Sequence, residues 1–285
     1  MNIKDKLKEG KGGVSLEFFP PKTDAGIGKL LAEAEKLKEI SPDFTSVTFG
    51  AGGSTQSNTL DLCVKLREQH GFHTMPHLTC VGSSKDRLGD ILDEFKDNGI
   101  KDVLALRGDA PKDVEHFQTH PDGFQYANEL VSFIKSKYDF AIGVAAYPEV
   151  HPESESADAD LENLKRKVDS GADFIITQLF FDNAHFYKFR EKCDSIGINI
   201  PILAGILPAM NLKGIERMCD ICGSQIPEQL YKKMSAVSES KEDMKKVGVE
   251  WAISQSRDLM RSYIDGLHIY CLNKADASVQ IYKQL

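Results

Sequence analysis

The chain has 285 residues, a net charge of −8, 41% hydrophobic and 27% charged residues, the balance of a soluble globular protein. The acidic surplus argues against a surface for nucleic acid or anionic membrane, which needs a basic field. No apolar run approaches the roughly 20 residues that span a bilayer, Met1–Gly10 lacks the apolar stretch of a signal peptide, and six scattered cysteines suit a reducing cytoplasm.

In chain order, eight short apolar runs read as strands: Val14–Phe18, Phe44–Phe49, Thr74–Leu78, Val103–Leu106, Ile142–Ala146, Phe174–Thr177, Ile202–Gly205 and Leu267–Cys271. Most starts lie about 30 residues apart, the size of a βα repeat. The stretches between them carry apolar residues at helical spacing. Examples are Leu30, Leu31, Ala34 and Leu37, then Leu88, Ile91, Leu92 and Phe95, then Leu161, Leu164 and Val168. Gly99, Gly171 and Gly197 stand where helices end on a left-handed residue. The longer stretch Asn211–Gly266 should hold extra helices, one of them with Trp251. Eight β units alternating with helices predict an α/β fold, a (β/α)8 TIM barrel, as a single domain over 1–285. An open doubly wound sheet fits less well, because no G-x-G-x-x-G follows the first strand.

In a barrel the carboxyl ends of the strands ring the active site. Here they carry Glu17, Thr48, His77, Asp109, Tyr147, Gln178, Pro208 and Asn273. On the first strand Val14, Leu16 and Phe18 share one face, and Ser15 and Glu17 the other. Glu17 should therefore point into the barrel mouth, where desolvation predicts a raised carboxyl pKa. The run Val103–Leu106 stops at Arg107-Gly108-Asp109, where Gly108 permits a sharp turn or a close approach. Asp109 adds a second carboxylate at a strand end. Two such groups could serve as a general acid and an ionised electrostatic partner, or as structural carboxylates held by backbone N–H groups.

Ala145–Pro152 reads A-A-Y-P-E-V-H-P. Its prolines stiffen a loop that presents Tyr147 for stacking on a flat heterocycle and His151 for phosphate or ribose. Asp160, Asn163, Arg166 and Lys167 follow at i, i+3, i+6 and i+7. They form a face for an adenosine diphosphate group or a solvated ion-pair face. The histidines lack H-E-x-x-H spacing, so no metal is expected. The lone C-x-x-C at Cys219 and Cys222 is a weak redox or metal signal.

These segments resemble the 5,10-methylenetetrahydrofolate reductase family. The resemblance rests on S-L-E-F-F-P-P (15–21), S-V-T-F-G-A (46–51), P-H-L-T-C (76–80), A-L-R-G-D (105–109) and A-A-Y-P-E-V-H-P (145–152). It continues through D-L-x-N-L-K-R-K-V (160–168), G-A-D-F-I-I-T-Q-L-F-F (171–181), G-I-L-P (205–208) and L-x-x-Y-x-L-N (267–273). It implies a flavoprotein oxidoreductase of one-carbon metabolism, with FAD expected ahead of FMN. NADH or NADPH would reduce the flavin and leave, and methylenetetrahydrofolate would then accept the hydride. A cytoplasmic homo-oligomer is implied too, and the chain length suggests the catalytic barrel alone. The resemblance makes Glu17 the general acid, and Asp109 the carboxylate beside both flavin and folate. Gln178 and Lys274 become substrate contacts. Thr48, Phe49, Ala51, His77, Arg107, Gly108, Asp109, Ala127, Tyr147, His151, Asp160, Asn163, Arg166 and Lys167 fall on cofactor positions. Gly214, Met218 and Lys274 depart from the enterobacterial pattern of glutamine, phenylalanine and arginine. The alternatives are a catalytic subunit fed electrons by a partner protein, and a folate-binding barrel without catalysis.

Overall fold

The computed structural model describes residues 1–8, 13–49, 56–108, 119–262 and 264–285. Eight parallel strands close into a barrel, each hydrogen-bonded to the next and the last to the first. They are β1 (Gly13–Phe18), β2 (Phe44–Val47), β3 (Thr74–Thr79), β4 (Asp102–Leu106), β5 (Ala141–Ala146), β6 (Phe174–Thr177), β7 (Ile202–Ile206) and β8 (Gly266–Tyr270). The helices are α1 (Ile3–Lys8), α2 (Asp24–Leu37), α3 (Gln56–His70), α4 (Lys85–Asp97), α5 (Ala127–Lys137), α6 (Ala157–Asp169) and α7 (Asn183–Ser195). Then come α8 (Leu212–Cys222), α9 (Glu228–Ser235), α10 (Lys241–Arg261) and α11 (Ala275–Tyr282). The three helices between β7 and β8 fill the predicted long gap, and Trp251 lies on α10.

Strand alternation sorts the side chains. Val14, Leu16 and Phe18 point outward into the main core with Leu30, Ala34 and Leu37 of α2. The inward positions change character along the barrel axis. Phe44, Met75, Leu104, Phe174 and Leu203 form an apolar floor. Nearer the mouth the interior turns polar, with Ser15, Ser46, His77, Thr177 and His268 all buried.

α1 closes the amino-terminal end. Its Ile3 and Leu7 join the apolar floor, and the Ile3 N–H donates to Asp102 Oδ1 at 2.7 Å. His73 Nε2 holds the other Asp102 oxygen at 2.5 Å, and Lys4 pairs with Asp173. The charged N-terminal segment is thus a plug. Asp173 Oδ2 also accepts the Ile142 N–H at 3.0 Å, and Asp265 Oδ2 that of Ile202 at 2.9 Å. Carboxylates at the strand starts satisfy donors that the ladder leaves over. This end serves stability, and the opposite mouth is left for chemistry.

Candidate active site

Glu17 sits at the polar mouth of the barrel, with its side chain 19% exposed. Its Oε2 faces His268 Nε2, His77 Nε2 and the Ser46 hydroxyl, each at 3.4 Å. Behind His268, the Ser15 hydroxyl lies 2.7 Å from Nδ1 and 3.2 Å from the Leu267 carbonyl. Ser15 can donate to either neighbour. When it donates to His268 Nδ1, Nε2 carries the imidazole proton toward an ionised Glu17. When Nδ1 holds the proton and donates to Ser15, the hydroxyl turns to Leu267, and a protonated Glu17 donates to Nε2. Either state of the carboxyl can therefore share a hydrogen bond with His268 through Oε2.

The sequence predicted a raised pKa for Glu17, and the structure reverses it. Burial alone pushes the carboxyl up. The His268 hydrogen bond, the charge that His77 carries in acid, and the Ser46 hydroxyl outweigh it and hold Glu17 below the ordinary carboxylate range. The polar residues facing Glu17 across the barrel decide the sign, and they come from distant strands. His77 moves further: burial pushes its imidazole down to about 4, so it is neutral at physiological pH. Its buried Nε2 makes no hydrogen bond within the protein.

Three neighbours fix this arrangement. The Tyr270 hydroxyl donates to the Thr177 carbonyl at 2.7 Å, and its ring stands perpendicular to His268 at 5.2 Å. Gly205 makes room for this, since a Cβ there would strike the Thr177 carbonyl oxygen and come within 2.9 Å of the Tyr270 ring. The Cys271 thiol donates to the Glu17 carbonyl at 2.9 Å. After β4, Gly108 adopts φ +88°, and a Cβ would approach Val81 and Thr79 to 2.7 and 2.9 Å. The glycine therefore serves a tight turn against the exit of β3.

Beyond β5 a cleft of about 310 Å3 opens between the 146–151 loop, α6 and α7. Tyr147 packs edge-on against His151 at 4.5 Å. Asp160 braces the loop by accepting the His151 N–H and the Ser154 hydroxyl, both at 3.0 Å. The Glu153 N–H donates to His151 Nδ1 at 3.0 Å, which leaves Nε2 to carry the imidazole proton. Glu149 accepts the Gln225 N–H at 3.0 Å and ties the loop to the α8–α9 connection. Lys167 lies in the cleft wall with its ammonium on the Ala145 carbonyl at 2.5 Å. Burial lowers its pKa to about 8, with Asp160 opposing. A cation so poorly compensated is a ready receptor for an anion.

A family comparison matches residues 2–285 to methylenetetrahydrofolate reductase. The chain belongs to the methylenetetrahydrofolate reductase family. It is 39% identical to methylenetetrahydrofolate reductase (NADH) 1 of Arabidopsis thaliana, over 100% of this chain and 51% of that protein. It is also 39% identical to 5,10-methylenetetrahydrofolate reductase of Escherichia coli, over 96% of this chain and 90% of that protein. It thus spans about half the plant relative and most of the bacterial one. A solved structure of an uncharacterized protein from Clostridium thermocellum, described as binding two copies of 5-methyl-5,6,7,8-tetrahydrofolic acid, shares the fold. Its TM-score is 0.67 at 16% identity, covering 99% of this chain and 96% of that one.

Among the family positions predicted from sequence, the structure gathers Glu17 and His77 inside the mouth, and Tyr147, His151, Asp160 and Lys167 around the cleft. Thr48 ends the β1–β2 pairing, its N–H donating to the Phe18 carbonyl at 2.9 Å, and Phe49 packs on the main core. Arg107 pairs with Glu153 at 2.6 Å, which links the β4 exit to the loop after β5. The Gln178 Oε1 accepts the Leu179 N–H at 2.8 Å, so the group it offers a ligand is its NH2. Ala127 opens α5. Asn163 and Arg166 are exposed on α6, bonded to each other at 2.7 Å, and are not part of the cleft wall. Lys274 is exposed at the start of α11. Asp109 and Ala51 lie outside the described residues. Ser15, Ser46, His268 and Tyr270 were missed as site residues. The inward parity of Ser15 and the Leu-His-Ile-Tyr alternation of 267–270 were the available signals. Cys219 and Cys222 pack into the apolar cluster over α8, and burial pushes Cys219 up to about 12, far from a reactive thiol.

Proposed function

We propose that this chain is a catalytic barrel that reduces 5,10-methylenetetrahydrofolate to 5-methyltetrahydrofolate. The electrons come from NADH through bound FAD, in two half-reactions at one mouth. The observation that carries the reading is Glu17 facing two imidazoles at the mouth of a barrel of this family. The NADH preference follows the plant relative's own designation. The 285 residues act as one catalytic domain, in the cytoplasm and as a homo-oligomer. All six cysteines are free, as suits a reducing compartment.

The residues fit a flavin dinucleotide. The half-buried Lys167 ammonium suits a diphosphate, Tyr147 and the His151 Nε2–H suit the adenosine side, and the His77 Nε2, 3.4 Å from Glu17, lies toward the mouth. Thr48, Phe49, Ala51, Arg107, Gly108, Asp109 and Ala127 complete the cofactor set. Asn163 and Arg166 contribute only from the exposed rim of α6. Bound there, the flavin supplies the hydride chemistry that no side chain can.

The chain's own part is proton delivery and charge placement. Glu17 gives a proton to folate N10, the imidazolidine ring opens, and a cationic N5 iminium remains. Folate closing over the 19% of Glu17 still exposed removes its last water and drives the carboxyl toward the protonated form. The Ser15–His268 pair can donate to the carboxylate or accept from the carboxylic acid. The family resemblance gives Asp109 the part of the carboxylate that favours the iminium cation. The Gln178 NH2 holds the pterin, and Lys274 meets the glutamate tail.

The test is Glu17→Gln. Flavin reduction by NADH should persist within about twofold, while transfer to methylenetetrahydrofolate falls by at least about a hundredfold, the range of a positioned acid. Undiminished 5-methyltetrahydrofolate formation would remove Glu17 from the acid role.

A further inference from the structure

The turn that follows β8 carries backbone conformations that its residues avoid. Leu272 and Asn273 have φ of +49° and +56°, and the Lys274 N–H closes onto the Cys271 carbonyl at 3.0 Å. Two consecutive left-handed residues inside such a hydrogen bond make a primed type I turn, for which glycine and asparagine are usual and leucine is not. Strain of this kind persists where surrounding contacts enforce it.

The contacts run to β1. The β1–β8 pairing ends at Glu17 opposite Tyr270. Beyond that point β8 turns away, and the Phe19 peptide loses its ladder partner. The Asn273 side chain takes its place: Oδ1 accepts the Phe19 N–H at 3.0 Å, and Nδ2 donates to the Phe19 carbonyl at 2.8 Å. A carboxamide has the donor and acceptor of a peptide group, so it extends the ladder by one step. With the Cys271 thiol on the Glu17 carbonyl at 2.9 Å, the chain that leaves the Glu17 Cα is tied to one turn at both residue 17 and residue 19.

We propose that Asn273 is a positioning residue for Glu17, a two-pronged amide clamp that holds the carboxyl in place for proton transfer to folate. The proposal rests on the functional reading above. A clamped Phe19 peptide fixes where the Cα–Cβ bond of Glu17 points two residues earlier, and so fixes its 3.4 Å approach to His268, His77 and Ser46. Releasing the clamp loosens contacts that hold the carboxyl pKa down, so the pKa rises.

Asn273→Gly separates the clamp from the turn, because glycine keeps the left-handed backbone and removes only the amide. The expected variant melts within a few degrees of the parent, binds FAD, and is reduced by NADH within about twofold. Its transfer to methylenetetrahydrofolate falls at least tenfold in rate constant with little change in folate Kd, and the pH midpoint of that step moves up. Asn273→Asp keeps the acceptor for the Phe19 N–H but sets an oxygen against the Phe19 carbonyl, and should be no faster than the glycine variant. A parental rate and pH midpoint in Asn273→Gly overturn the proposal. So does an equal loss in both half-reactions, which would mark a merely structural turn. A parent protein that transfers nothing to methylenetetrahydrofolate overturns the functional reading as well.

Discussion

His77 should make this protein sensitive to mild acid, and His77→Gln should remove that sensitivity. The folded imidazole is held at about 4, against an ordinary value near 6.5. A depressed folded pKa means that the unfolded chain takes up a proton the folded one refuses. The stability from a neutral His77 is thus complete above pH 6.5 and lost as pH falls toward 4. At about 1.4 kcal/mol per pKa unit, the loss between pH 7.5 and 4.5 is about 2.5 kcal/mol. Glu17 does not contribute in this window: its pKa lies below the ordinary value, so its share is lost only at lower pH. With a urea m-value of about 3 kcal/mol/M, the midpoint should drop by about 0.8 M more in the parent than in His77→Gln. The assay is urea unfolding of both proteins at pH 7.5, 6.0 and 4.5, followed by circular dichroism. Midpoints that fall in parallel would refute the assignment of a neutral, desolvated imidazole beside Glu17.

Two further substitutions test other parts of the framework. Gly205→Ala drives a methyl into the Thr177 carbonyl oxygen and the Tyr270 ring. It should cost about 3 kcal/mol, at the upper end for overpacking, and show as a lowered urea midpoint; parental stability would mean that β6, β7 and β8 yield easily. Lys167→Met keeps the stem and removes the cation. FAD affinity should fall about tenfold to a hundredfold, as for a charge-assisted hydrogen bond, in fluorescence titration of the apoprotein; parental affinity would take Lys167 out of the cofactor site.

The barrel was legible because strand parity and helix stripes are local. The observed β1, β3 and β5 start within one residue of the predicted runs, and Gly99, Gly171 and Gly197 all have positive φ. The inward placement of Glu17 was legible for the same reason. Its pKa direction was not, because it depends on His77, Ser46 and His268, which closure brings around one oxygen from β3, β2 and β8. The α1 plug was illegible as well: Ile3 and Leu7 read as two apolar residues in a charged hexamer, and only the open barrel floor gives them a partner. On α6, the spacing of Asp160, Asn163, Arg166 and Lys167 was right for one helix face. The neighbouring helix α7 then decided that Asp160 and Lys167 border the cleft while Asn163 and Arg166 remain in solvent.

The account turns on one cycle that a single cuvette can follow. Under anaerobic conditions the purified protein, or the protein reconstituted with FAD, should bleach on addition of NADH. It should recover its flavin absorbance on addition of methylenetetrahydrofolate, with one 5-methyltetrahydrofolate formed per flavin. A protein that takes up neither FAD nor FMN, or one whose reduced flavin methylenetetrahydrofolate cannot reoxidise, would contradict the account.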